Sequence, residues 1–391
     1  MKNLSLVFLS TLLFSLTLLA CGMNRTQPEQ REPFIDGDVP PVRVISFIPA
    51  DMEPFEHTEE RLGRVMTHVQ DFFRNGMEAN GFGPKTFALE WAEPGRLQVY
   101  FVRGQRNQLE YGRTDWFVVR DEVREAIQNQ YGWDINDEHI IIFQSLLRWE
   151  NGRAIELGPF VGGGSALSGT AWVYDDPLLD AALLSSREPG GYYHRPVSIG
   201  QFNTHYIGGV AHELGHAFGL PHDRETDEQR RTIGASLMND GNHHYGNEYR
   251  NQGLGTFLSA ASALPLTTVR AFVGDLPNSR EPATWALSDL AAAYQNRTIT
   301  LTGRVTAASP ELVGIIAFND DPSLAGGGHG ARAWTTTPDA EGNFRFVITE
   351  LRPSNYQLRL VGVHTGGQKS RFYVDYVVGV DGTDLNSRLL R

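Results

Sequence analysis

His212-Glu213-Leu214-Gly215-His216-Ala217-Phe218-Gly219-Leu220-Pro221-His222-Asp223 is the stretch around which the rest of the chain is arranged. It reads H-E-x-x-H-x-x-G-x-x-H-D. On a helix, residues four apart lie nearly one above the other, about 6 Å along the axis. His212 and His216 can therefore aim two imidazoles at one point. Glu213 sits one residue round from His212, close enough to hold a water on that metal without being a ligand. Gly219 comes one turn after His216, where helices most often stop in a left-handed conformation that only glycine adopts cheaply. Pro221 then blocks any return to helix. His222 follows the reversal, placed to supply a third imidazole. Three neutral nitrogens plus one open position describe a catalytic zinc site, not a structural one. With 12 His and 41 Gly in 391 residues, chance would align these positions in about one such chain in 10⁴.

At these residues the chain resembles the metzincin clan of zinc endopeptidases. The resemblance implies a tight turn carrying a methionine beneath the metal, and Ala235-Ser236-Leu237-Met238-Asn239-Asp240 offers Met238 at the matching place. Asp223, directly after the third histidine, is the variant seen in the reprolysin (adamalysin-like) branch. Astacins and serralysins place a tyrosine two residues after the methionine, where this chain has Asp240, and the cysteines that brace reprolysins are missing. The resemblance is thus to the clan. It implies an α+β, α/β-layered catalytic domain with one zinc held by His212, His216 and His222. A structural calcium ion is left open.

Apolar content of 41% and charged content of 20% describe a folded soluble chain. The formal net charge of −12 argues against a nucleic-acid partner, whose phosphates would be repelled. Lys2 precedes an apolar run from Leu4 to Ala20 that ends at the only cysteine, Cys21. Such a run is a signal peptide rather than a spanning helix. Leu18-Leu19-Ala20-Cys21 resembles the bacterial lipobox, so residues 1–20 are expected to be removed and Cys21 lipidated. That implies a bacterial envelope protein, at the outer membrane or cell surface, with its catalytic domain outside the cytoplasm. A lone cysteine leaves no intrachain disulfide and no thiol to cap the zinc.

Residues 21–41 are polar and proline-bearing, a tether. Residues 42–275 carry the peptidase pattern. Arg43–Ile48 alternates as a strand, and Thr58 opens a helix with an apolar face of Leu62, Val65, Met66, Val69, Phe73 and Met77. Thr114 and Asp115 cap a second helix whose inner face is Trp116, Val119, Val123 and Ile127. His139–Phe143 is a strand buried on both faces. Gly169, Thr170 and Ala171, within Gly169–Val173, are expected to form the sheet edge that borders the cleft, since small residues admit another backbone. The zinc helix is expected to start near Asn203 or Thr204. Tyr245 and Tyr249 are candidates to donate to a transition-state oxyanion.

Residues 276–297 form a connector. From 298 to 391, short strands separated by turn signals argue an all-β, Ig-like sandwich. Leu301–Val305 and the Asp339–Phe344 stretch resemble carboxypeptidase-regulatory or fibronectin-like modules. The expected activity is endopeptidase hydrolysis of a protein or peptide, with Glu213 as general base and Asp223 as a carboxylate near the methionine turn. The competing expectation is a lipid-anchored adhesin or carbohydrate-binding protein with a vestigial peptidase domain. Degenerate sites usually lose the glutamate or a histidine, and all four residues are present. A non-proteolytic zinc hydrolase is disfavoured by the H-x-x-G-x-x-H form.

Overall fold

The structure is a computed structural model that describes residues 39–193, 195–321, 324 and 330–380. Cys21, the expected signal segment 1–20 and most of the expected tether 21–41 lie outside the described residues. No helix among the described residues is long and apolar enough to cross a membrane.

Pro41–Ile48 forms the strand on which the first layer is built, flanked on one side by Ala88–Leu89 and Val99–Arg103 and on the other by His139–Gln144. Gly169–Tyr174 pairs next, and all these pairings are parallel. Parallel strands need cover on both faces, and every residue of His139–Gln144 is buried. Helix α1 (Thr58–Ala79) supplies part of that cover. Its Leu62, Val65, Met66, Val69, Phe73 and Met77 are completely buried, each contributing about 1.5–3 kcal/mol over exposure.

The outermost strand is Val161–Gly164, antiparallel to Gly169–Tyr174. This corrects the sequence expectation, because Gly169, Thr170 and Ala171 are paired on both sides and border nothing open. The small residues admit a backbone, but it belongs to the histidine-bearing helix α3 (Ile199–Ala217). A Cβ on Gly162 would stand 2.0 Å from the Glu213 carbonyl oxygen. One on Gly164 or Gly169 would stand 2.0 Å from that of Ala217. The glycines are there so that helix and sheet can touch.

Helix α2 (Trp116–Tyr131) turns Val119, Val123 and Ile127 inward as expected. Trp116 does not follow them. It is 48% exposed, at the helix start, edge-on to Trp172 on the sheet face away from α3. Asp115 occupies the cap position but accepts from the Gly112 N–H, not from the helix.

Helix α3 begins earlier than expected, at a capping box in which Ser198 Oγ accepts from the Gln201 N–H and Gln201 Oε1 from the Ser198 N–H. Asn203 and Thr204, good caps by type, lie inside the helix and bond across the fold instead. Asn203 bridges Leu178 and Asp180, and Thr204 accepts from the buried Arg250 guanidinium. Helices α4 (Asp227–Thr232) and α5 (Ala260–Leu266) follow the histidine segment.

The C-terminal strands form two antiparallel sheets. One runs Thr284–Gln295, Thr298–Ser309, Asn343–Ile348. The other runs Ala331–Thr336, Leu312–Asp320, Ser354–His364, Lys369–Val378. Ile299, Leu301 and Phe346 of the first meet Leu358, Leu360 and Tyr376 of the second in one core. Thr284–Gln295, expected as connector, is a full strand. Its two-residue alternation of Trp285, Leu287, Ala292 and Tyr294 packs on that core, while the prolines lie only before it. A smaller cluster joins Ala261 and Leu264 of α5 to Ile316, Phe318, Val361 and Val363 of the second sheet.

Candidate metal centre and cleft

His212 and His216 project from the last two turns of α3 with ring centroids 4.8 Å apart. Helix α3 then ends in a Schellman arrangement: the Gly219 N–H donates to His216 O at 2.9 Å and the Leu220 N–H to Gly215 O at 3.0 Å. Gly219 takes the left-handed φ of +78° that this reversal requires. The reversal returns His222 to the pair, its ring 4.6 Å from that of His216 and 5.5 Å from that of His212. One ring nitrogen of each lies within 4.8 Å of the others, and His216 Nε2 is 3.1 Å from His222 Nε2. Tetrahedral coordination at zinc–nitrogen distances places ligand nitrogens about 3.3 Å apart. The three imidazoles could hold a metal ion.

The tautomers suit that role. A carbonyl can only accept, so His212 Nδ1–H donates to Leu237 O at 2.7 Å and His216 Nδ1–H to Leu220 O at 2.8 Å. Each leaves Nε2 with its lone pair toward the common point. Both acceptors are backbone atoms, which carry no sequence signature.

Met238 is completely buried beneath the helix. A Cβ on Gly215 would stand 2.6 Å from its sulfur, so the glycine inside H-E-x-G-H is what lets the methionine turn seat there. Asp223 ties the third-histidine segment to that turn. Its carboxylate accepts from Ser236 Oγ, and from Ser259 Oγ and Ser262 Oγ at 2.6 Å each, while its N–H donates to Met238 O at 3.3 Å. Burial pushes this carboxyl up, and the three hydroxyls pull it back. The serines were not legible as partners, since they lie 13 to 39 residues further along the chain.

Glu213 is buried beside the edge strand, its carboxyl pushed up to about 8 by burial and opposed by the Gly162 N–H it accepts. Backbone alternation along the edge follows from the Ser165 N–H bond to Ser168 O, which closes the hairpin. Gly163 and Val161 then pair inward, and Gly162 and Gly164 turn their backbone groups out. On the face away from α3, Trp116, Arg120, Asn136, Val161 and Trp172 line a cavity of about 410 Å³. Arg120 donates there to the Asn136 side chain. That cavity was missed in the sequence because Trp116 fits the apolar period of α2.

Tyr245 and Tyr249 are engaged with α1. Tyr245 is buried edge-on to His68 and beside Phe72, and the Tyr249 ring lies 5.9 Å from that of His68. Asp240, two residues after Met238, pairs with Arg230 at 2.7 Å.

A mixed α/β protein with three imidazoles converging at the C-terminal end of helix α3 is the class that fold and site define. No protein-family model matches the chain, and no curated protein matches it in sequence. Among solved structures the chain is similar to OgpA from Akkermansia muciniphila. The wild-type protein in one crystal form superposes with a TM-score of 0.75 at 20% identity, over 92% of this chain and 98% of that one. Catalytic inactive OgpA in complex with an O-glycopeptide (glycodrosocin) substrate gives a TM-score of 0.74 at 19% identity, over 89% and 96%. At such identity the likeness is one of fold.

Proposed function

We propose that the chain is a zinc-dependent endopeptidase that cleaves O-glycosylated peptides at the bacterial envelope, held there through lipid on Cys21. The observation that carries the reading is the convergence of His212, His216 and His222 with Glu213 buried beside them at an open sheet edge. His212, His216 and His222 would hold the zinc, which would supply a Lewis acid for the scissile carbonyl and for water. The chain's own residues do the rest. Gly164 offers its outward N–H and C=O, and Gly162 its outward C=O, to an extended peptide, which joins the sheet as one more strand. Glu213 takes the proton of the attacking water and returns it to the leaving amine. A carboxylate made more basic by burial suits that task near neutral pH, and the Gly162 N–H it accepts favours its ionised form. Leu237 and Leu220 hold two imidazoles in the ligating tautomer.

The substrate class is supported by the O-glycopeptide held by the similar fold, and by the aromatic pair with Arg120 and Asn136 beside the edge strand. Aromatic faces and polar side chains together suit a sugar ring. The test is mass spectrometry of an O-glycosylated peptide and its sugar-free counterpart after incubation with the protein. Cleavage of the glycosylated form only, abolished by chelator and restored by zinc, is expected. Glycopeptide bound but never cut would replace this reading with the carbohydrate-binding one.

A further inference from the structure

Helix α3 has no lysine or arginine of its own in its last turn, where the only basic residue is His216. The negative end of a helix dipole favours a cation. One arrives from the C-terminal sandwich. Lys369, first residue of the last strand, donates from Nζ to Gly219 O at 2.7 Å. Gly219 is the pivot of the reversal between His216 and His222, and its carbonyl follows the two Schellman bonds. The ammonium is drawn down to about 8 by burial, with Arg371 adding to the effect, and stays charged near neutrality.

The same sandwich grips the far side of His222. The Arg224 N–H donates to Ala331 O at 2.7 Å. The Asp227 N–H donates to Glu350 at 2.8 Å, and the Asp227 carboxylate accepts from Arg332 at 2.9 Å and Arg352 at 3.0 Å. His222 therefore lies on a short segment fastened at both ends to the C-terminal sheets. Neither fastening involves a metal ligand. Only the Lys369 contact falls inside the ligand motif.

We propose that Lys369 is a positioning residue of the metal centre, and that through it the C-terminal sandwich holds the turn between His216 and His222 in its ligating form. The sandwich is then a working part of the site, not an appended binding module. This rests on the reading that the three histidines hold zinc.

The experiment measures zinc affinity of the full chain by competition with a chromophoric chelator, together with the visible absorption of the cobalt-substituted protein. Lys369→Met is expected to weaken zinc binding about 10- to 100-fold, the usual effect of losing an outer partner of a ligand, and to alter the cobalt bands. Lys369→Arg, which keeps the cation, should recover most of the affinity, and Lys369→Gln should fall between. Arg352→Ala cuts an exposed contact of the same interface and should bind zinc as wild type, with a metal-free melting temperature no higher than that of Lys369→Met. Should Lys369→Met not fold, the Gln and Arg variants carry the comparison. Wild-type affinity and cobalt spectrum in Lys369→Met or Lys369→Gln would overturn the inference alone. An equal loss in Arg352→Ala would also overturn it, since interface stability would then be the cause. A wild-type chain that binds no zinc would overturn the metal reading itself.

Discussion

His212 Nδ1 and the carbonyl oxygen of Leu237 are 2.7 Å apart, so the turn that buries Met238 also sets the tautomer of the first imidazole. Ligand helix and methionine turn are one unit. Replacing His212, His216 or His222 by Ala should each abolish stoichiometric zinc binding, read by metal analysis of the purified protein. Full zinc content in His222→Ala would refute the three-histidine centre. Glu213→Ala should keep the metal and lose about 10²- to 10⁴-fold in peptide turnover, the usual worth of a general base.

The edge strand makes a sharper contrast. Gly163 has open space where a Cβ would go, whereas Gly162 and Gly164 face backbone oxygens of α3 at 2.0 Å. Gly163→Ala is expected to melt within a few degrees of wild type. Gly162→Ala and Gly164→Ala force helix from sheet, an overpacking cost of about 1–3 kcal/mol or more, and should lose turnover. Thermal melts beside peptide assays decide it; equal behaviour of the three variants would mean the edge is not pressed against α3.

Asp223→Ala strands the buried hydroxyls of Ser236 and Ser262 and the half-buried one of Ser259. Unsatisfied buried groups cost about 1–3 kcal/mol each, so the loss should reach about 2 kcal/mol or more in denaturant melts. Asp223→Asn retains an acceptor and should lose less. A neutral effect of the alanine variant would show that the methionine turn and the third-histidine segment are held by other contacts.

His139 gives a pH dependence. Its ring is buried against Phe218 with Nε2 3.0 Å from Ser165 O, and burial lowers it to about 4. Unfolded histidine titrates near 6.5, so between 6.5 and 4 the unfolded chain binds more protons and stability falls as pH falls. The contribution reaches about 3 kcal/mol at the acid end. In chelator-treated protein, His139→Gln should flatten this part of the stability profile. An unchanged slope would place the titrating group elsewhere.

Cys21→Ser should move the protein from the membrane to the soluble fraction. Mature protein carrying an unmodified thiol at Cys21, by mass spectrometry, would rule out the lipid anchor.

What the sequence determined by itself was whatever a few neighbouring residues encode. The spacing of His212, Glu213 and His216, the stop at Gly219 and the return at His222 are local geometry, and so are the apolar face of α1 and the alternating strands from Thr298 onward. Met238 was legible only through the resemblance that named its turn. Tertiary structure decided the rest, because the partners are far apart along the chain. An edge strand is defined by the neighbour it lacks, so Gly169–Ala171 and Val161–Gly164 could not be told apart until the sheet was assembled. Asn203 and Thr204 read as caps by type, yet Leu178 and Arg250 claim their side chains, and Ser198 caps in their place. Trp116 obeys the period of α2 but stands at its open end beside Trp172. Lys369 lies 150 residues beyond the carbonyl it holds, a distance at which no local pattern survives and only packing brings charge to dipole.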